Sequence, residues 1–225
     1  MSELPSPWAI HLPGAAHCLC FTPADPDRHA VLLHDWFHRA HVISWWGPDR
    51  TVAETRDYLV RQRQAPHLTP WLVSLWGTPK GVAARWTTPA WGVAEGDDMP
   101  FGYVETYRAV EDRLAQFTPL ESSDRGWHVL VGLRELLGSG VPRQLGRGVL
   151  ARLLSEPGVD RVVCEPNEKN RRMLGFCHAL GFHQVMTVEL PEKRAALLAC
   201  TRESFRPRWP GDLEAGAASF QKETV

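Results

Sequence analysis

No stretch of this 225-residue chain stays apolar for the roughly 18 residues that crossing a bilayer requires. Charge of one sign is lacking too: the formal net charge is −1, which leaves no electrostatic footprint for nucleic acid or an anionic membrane. Cysteine is sparse, and five residues at uneven spacing read as reduced thiols rather than a disulfide framework. The first residues, MSELPSPWAIHLPG, lack the basic start and apolar stretch of a secretory signal. These absences make the cytoplasm the expected compartment. No internal repeat is evident, and His17-Cys18-Leu19-Cys20 has no second cluster to complete a tetrahedral metal set, so no metal is expected.

What is present suits a folded enzyme or binding domain. A 44% hydrophobic content is enough for a sizeable core. Tryptophan and histidine are both plentiful, ten of each, with eight tryptophans before residue 100 and His34, His38 and His41 close together. Tryptophan's large faces serve equally in a ligand groove or a packed core.

Along the chain, residues 1–30 read as an extended lead-in with one or two short strands. TVAETRDYLVRQRQ is helical, with Thr51 and Glu54 spaced as a capping box. TPWLVSLW and GVAARWTT read as strands split by the turn residues Gly77, Thr78, Pro79 and Lys80, and WGVAEGDDMP as a polar loop. FGYVETYRAV alternates as a strand with Tyr103, Glu105 and Tyr107 on one face. Beyond Gly126 come the strand WHVLVG, the amphipathic helix VPRQLGRGVLARLLSE, the buried strand RVVCEP, the helix NRRMLGFCHALGF, and the strands HQVMTVEL and AALLACTR. This is an α/β pattern. From Arg206 the chain is polar and aperiodic, so 206–225 is expected to be a disordered tail, leaving 31–205 as the domain.

RELLGSGVPRQLGRGVLARLL holds two glycine loops able to turn backbone N–H groups toward a phosphate. A helix starting after Gly140 has Pro142 in its first turn and runs about 14 residues to Ser155. A start after Gly148 leaves barely two turns before Pro157. The cradle is therefore assigned to Gly138, Ser139, Gly140 and the Val141 amide, with Arg143 in reach of a phosphate. Gly146 and Gly148 then lie inside the helix, at roughly 1 kcal/mol each relative to alanine, unless close packing requires them.

Taken together, WHVLVG, the glycine loop, RVVCEPNEKNRRMLGFCHALGF, VELPEKRAALLACTRESF, HDWFHRAHVISWW and FGYVETYRAVEDRL resemble the GNAT superfamily. Within it they resemble the N-acyltransferases of siderophore synthesis that act on lysine or hydroxylysine. The resemblance implies an α+β GNAT fold, a mixed central sheet splayed between the WHVLVG and RVVCEP strands, with flanking helices. It implies acetyl-CoA or another acyl-CoA as co-substrate, its pantetheine bonded along Leu130, Val131 and Gly132, with Asn170 beside the arm. It further implies a small-molecule amine as acceptor, with the chain a monomer or homodimer.

The same resemblance points to the catalytic groups. His128 is the implied base, an imidazole near its ordinary pKa of about 6.5. The family's E-P-D-x-x-N appears here with Asn167 in the aspartate's place, able to orient substrate by hydrogen bonds but not to accept a proton. Asp112 matches a carboxylate of the subgroup and is assigned to the substrate amine or to proton transfer. Trp36, His41, Glu105 and Tyr107 are assigned to the acceptor side. The expected activity is acetyl or succinyl transfer to the amine of hydroxylysine, hydroxycadaverine or a related diamine. An aminoglycoside-type N-acetyltransferase and a non-catalytic acyl-CoA-binding module are the alternatives.

Overall fold

Alternating apolar residues in the β-branched and aromatic segments dictate strands, and the computed structural model assembles them into one eight-stranded sheet over residues 5–15, 17–47, 49–76 and 99–221, the residues it describes. The strands are β1 (Trp8–Ile10), β2 (Cys18–Pro23), β3 (Leu68–Trp76), β4 (Met99–Arg108), β5 (Asp124–Val131), β6 (Arg161–Cys164), β7 (His183–Leu190) and β8 (Lys193–Thr201). Their order is β1-β2-β3-β4-β5-β6-β8-β7. Neighbours are antiparallel except β5 and β6, which run parallel. The expected strand GVAARWTT, its preceding turn and most of the loop WGVAEGDDMP lie outside the described residues.

The helices α1 (Pro26–Phe37), α2 (Ile43–Trp46) and α3 (Val52–Gln64) cover one face of the sheet; α4 (Val141–Leu154) and α5 (Arg171–Leu180) cover the other. Two short C-terminal helices follow, α6 (Arg202–Phe205) and α7 (Asp212–Gln221). Local chemistry explains the starts. Thr51 and Glu54 close the capping box on α3, and Asn170 caps α5 by accepting the Met173 amide at 3.1 Å. The Asp25 carboxylate takes the amides of Asp27 and Arg28, with Pro26 in the first turn of α1. That helix begins inside the segment expected to be an extended lead-in, and β1 and β2 join the same sheet as the rest.

In α4 the helix begins at Val141 after left-handed Gly140, as the glycine argument requires. Its internal glycines are explained by contact. A Cβ on Gly146 would lie 2.4 Å from Leu180 of α5, and one on Gly148 would lie 3.0 Å from Leu19 of β2. The tail expected to be disordered is ordered as far as α7. Its Asp212, fully buried, forms a bidentate pair with Arg147 of α4 at 2.7 and 2.8 Å.

Candidate active site

The parallel pairing of β5 with β6 lasts three residues, Asp124 to Arg161, Arg125 to Val162 and Gly126 to Val163. Buried Asp124 clamps this closed end through two bonds to the Arg161 guanidinium, at 2.6 and 2.9 Å. Beyond it β5 continues to Val131 while β6 ends at Cys164, so the strands part into a wedge.

Backbone direction decides which groups face that wedge. Pairing with β4 sets His128 opposite Glu105 and Leu130 opposite Tyr103, and the Gly132 amide donates to the Phe101 carbonyl at 2.7 Å. Peptide groups alternate between the two flanks of an antiparallel strand. His128, Leu130 and the Gly132 amide therefore spend theirs on β4, whereas Val129 and Val131 turn theirs toward the wedge. This corrects the expected set: of Leu130, Val131 and Gly132, only Val131 offers its backbone there, and Val129 joins it.

Two expected acceptor residues prove to shape this strand instead. Trp36 is fully buried, and its ring lies where a Gly132 Cβ would be, 2.1 Å from the nearest ring atom. It packs the end of β5 and does not line an acceptor surface. The His41 imidazole donates through Nε2 to the Val131 carbonyl at 2.8 Å, while Arg39 holds the Gly132 carbonyl at 2.9 Å.

On the α1–α3 face, the side chains of Tyr103, Glu105 and Tyr107 meet those of the even-numbered residues of β5. His128 stands between two buried carboxylates, with Nδ1 2.9 Å from Glu105 and Nε2 3.2 Å from Glu165. The hydroxyls of Tyr58 and Tyr103 donate to the other oxygen of Glu105. Tyr107 donates to Glu165 at 3.3 Å and approaches His128 Nε2 at 3.4 Å, and Lys193 lies 3.5 Å from Glu165. The Trp46 ring stands edge-on to the imidazole.

The electrostatics follow. Burial alone pushes the His128 pKa down, but Glu165 and Glu105 outweigh it and raise the value to about 10. Burial likewise favours a neutral Glu165, yet His128, Lys193 and Tyr107 hold it at about 2. Glu105 is lowered as well, burial being outweighed by His128 and the two tyrosine hydroxyls. Burial and neighbouring carboxylates push all three tyrosines well above their usual range, so they stay protonated donors. The imidazole near its ordinary pKa is thus overturned: His128 is an imidazolium held between two carboxylates.

Other expected residues lie apart from this cluster. The Asn167 side chain accepts the Lys169 amide at 2.9 Å, fixing its own loop, and among the described residues no hydrogen bond joins it to His128. Asp112 accepts the Leu114 amide at 2.9 Å and starts a 3₁₀ turn, although its charge is felt by Tyr107. At the far end of β5, Gly138 and Gly140 hold left-handed φ values of 86° and 91°, with open space where a Cβ would stand. Ser139 bonds the Leu136 carbonyl at 2.6 Å and receives the Val141 amide at 3.3 Å, with Arg143 exposed in the first turn of α4.

Sequence reasoning overlooked Glu165, Tyr58 and Lys193. Glu165 carried a readable signal, a carboxylate closing the apolar run RVVC. Tyr58 and Lys193 arrive by tertiary packing from α3 and β8.

A putative lysine N-acyltransferase of Schizosaccharomyces pombe and an N(6)-hydroxylysine O-acetyltransferase of Escherichia coli are each 27% identical, over 196 and 194 residues. Each alignment takes 86% of this chain, but 52% and 55% of those proteins, so the chain spans about half their length. An aminoglycoside N(6')-acetyltransferase type 1 of Klebsiella pneumoniae is 26% identical over 183 residues, 80% of this chain and 81% of that one. Among solved structures, an uncharacterized protein of Bacillus halodurans superimposes with a TM-score of 0.77 at 26% identity, covering 95% of this chain and all of that one. The family model for the acetyltransferase (GNAT) domain matches residues 25–96 and 90–190, which take in α1 to α3, the wedge, the glycine loop and the His128 cluster. By that match and by its wedge, the chain belongs to the GNAT acetyltransferase family.

Proposed function

We propose that the chain transfers an acetyl or succinyl-type group from an acyl-CoA to the amine of hydroxylysine, hydroxycadaverine or a related hydroxylated diamine. The observation that carries the reading is the placement of the His128 cluster beside an unpaired strand edge. That edge suits the alternating amides of pantetheine, with Val129 and Val131 as partners. The diphosphate belongs at Gly138, Ser139, Gly140 and the Val141 amide, where N–H groups and the helix dipole favour an anion, with Arg143 alongside.

A hydroxylamine nitrogen is weakly basic and reaches the site neutral, so no strong base is needed to free its lone pair. As nitrogen attacks the thioester carbon, the N–C bond forms, the C–S bond breaks, and the nitrogen's proton must leave. Glu165 accepts it, and the Nε2–H of His128 protonates the departing sulfur, so the cluster ends with the proton count it began with. Asn167 and Asp112 have no part in this scheme. One named relative supports a hydroxylated amine as acceptor, since its name gives N(6)-hydroxylysine.

Steady-state thiol release with acetyl-CoA and a panel of hydroxylysine, hydroxycadaverine, lysine and kanamycin tests the reading. Release with the hydroxylated amines is expected. Release confined to kanamycin, or no affinity for any acyl-CoA by titration calorimetry, overturns it.

A further inference from the structure

Arg50 has a setting unlike its neighbours. Arg39, Arg56 and Arg63 pair with Asp35, Asp27 and Asp25 at 2.8, 2.7 and 3.4 Å. Arg50 has no carboxylate at ion-pair distance among the described residues. Instead its guanidinium sits over aromatic rings, its central carbon 4.5 Å from the Tyr58 centroid and 6.0 Å from that of Phe37. A cation–π contact holds a guanidinium through its face without using its N–H donors, which can then receive a carboxylate in a two-pronged bond.

Its position relates it to the chemistry. Tyr58 carries Arg50 on its ring face and bonds Glu105 through its hydroxyl, and Glu105 holds His128 Nδ1. One side chain therefore separates Arg50 from the Glu105–His128 pair, and an extended four-carbon chain, roughly 6 Å long, bridges such a gap. Arg50 also lines an open surface depression of about 310 Å³ with His34, His38, Asp49, Thr51 and Glu54. The Asp49 and Glu54 carboxylates, though each already accepts a bond, keep lone pairs for an ammonium group. The depression thus offers a cation for a carboxylate and anions for an amine, the two charges of an α-amino acid head.

Flank decides which reactant this serves. The wedge and Glu165 lie on the β6 side of His128, whereas Glu105, Tyr58 and Arg50 lie on the β4 side. The thioester enters from the first, leaving the second to the acceptor. We infer that Arg50 anchors the acceptor's carboxylate, so that the substrate is an N-hydroxylated amino acid and not its decarboxylated diamine. This rests on the reading given under the proposed function.

The test compares kcat/KM for N6-hydroxylysine and N-hydroxycadaverine in the wild type and Arg50→Gln, with acetyl-CoA affinity measured by calorimetry to establish that the variant is folded. The wild type should prefer hydroxylysine by about 10- to 100-fold, the strength of a charged hydrogen-bonded pair, and Arg50→Gln should erase most of that preference through KM. Equal use of both acceptors by the wild type, or an equal fall with both in the variant, overturns the inference and leaves the parent reading standing. A changed preference between acetyl-CoA and succinyl-CoA in the variant, with the acceptor preference intact, overturns it by moving the carboxylate to the donor. Thiol release with neither acceptor overturns the parent reading and the inference together.

Discussion

Because each ring nitrogen of His128 faces a carboxylate, the imidazole cannot act alone, and its charge state belongs to the group. Removing one carboxylate should show this. Glu165→Gln takes away the proton acceptor and a main source of the raised His128 pKa, so turnover should fall by about 100-fold while acetyl-CoA affinity stays near wild type. The alkaline limb of the rate profile should also move to lower pH. Thiol-release kinetics across pH, alongside calorimetric titration, measure both. At this scale the sequence was legible where local geometry rules: period-two alternation put Glu105 and Tyr107 on the face that meets His128. It was illegible where partners come from distant segments. Lys193 looks like an ordinary surface cation until β8 carries it to the cluster, and Asn167 was assigned by its place in the family pattern because its loop bond to Lys169 cannot be read from residue types.

Helix α7 shows what local pattern misses among elements. DLEAGAASFQ has only two large apolar residues, Leu213 and Phe220, and gives little reason to expect order. Its place is set by α4: Arg147 pairs with Asp212, Ser155 bonds the Leu213 carbonyl at 2.7 Å, and a Cβ on Gly216 would lie 2.1 Å from the Ala151 carbonyl oxygen. The Arg147 guanidinium also stacks 4.6 Å from the Trp209 ring. Arg147 is thus directed away from the glycine loop. Asp212→Asn leaves a mostly buried guanidinium without its counter-charge and should destabilise the protein by about 3 kcal/mol, read from urea unfolding. A variant as stable as wild type would show that the C-terminal helix is held by other contacts. α1 was also missed, inside the expected lead-in, although Asp25-Pro26, a cap followed by a first-turn proline, carried a signal for it.

Across the whole molecule the buried charges link folding to pH. Glu165, held at about 2 against an ordinary 4.5, adds stability that is complete above 4.5 and lost as pH falls toward 2. His128, raised to about 10 from 6.5, adds stability that is complete below 6.5 and lost as pH rises through 10. Urea midpoints should therefore be highest between these limits and decline on either side. The decline between about pH 6 and about pH 9 should be smaller in His128→Gln than in wild type; an unchanged decline would assign the alkaline loss to other groups. The order of strands and helices past Gly126 was plain in the sequence, because each is a short periodic run between glycine, proline or asparagine signals. The eight-stranded extent of the sheet was not, since β2 gains its place by pairing with β3, and β1 by pairing with β2.

The brief contact of β5 with β6 has one more consequence. A sheet that stops zipping after three rungs leaves the Val129 peptide groups and the Val131 amide off the ladder, while His41 holds the Val131 carbonyl. A guest built from amide links at polypeptide-like spacing finishes the lattice, so the same bonds that capture the visitor also brace the host. On the proposed function, recognition at this strand is a final increment of folding, deferred until the guest arrives.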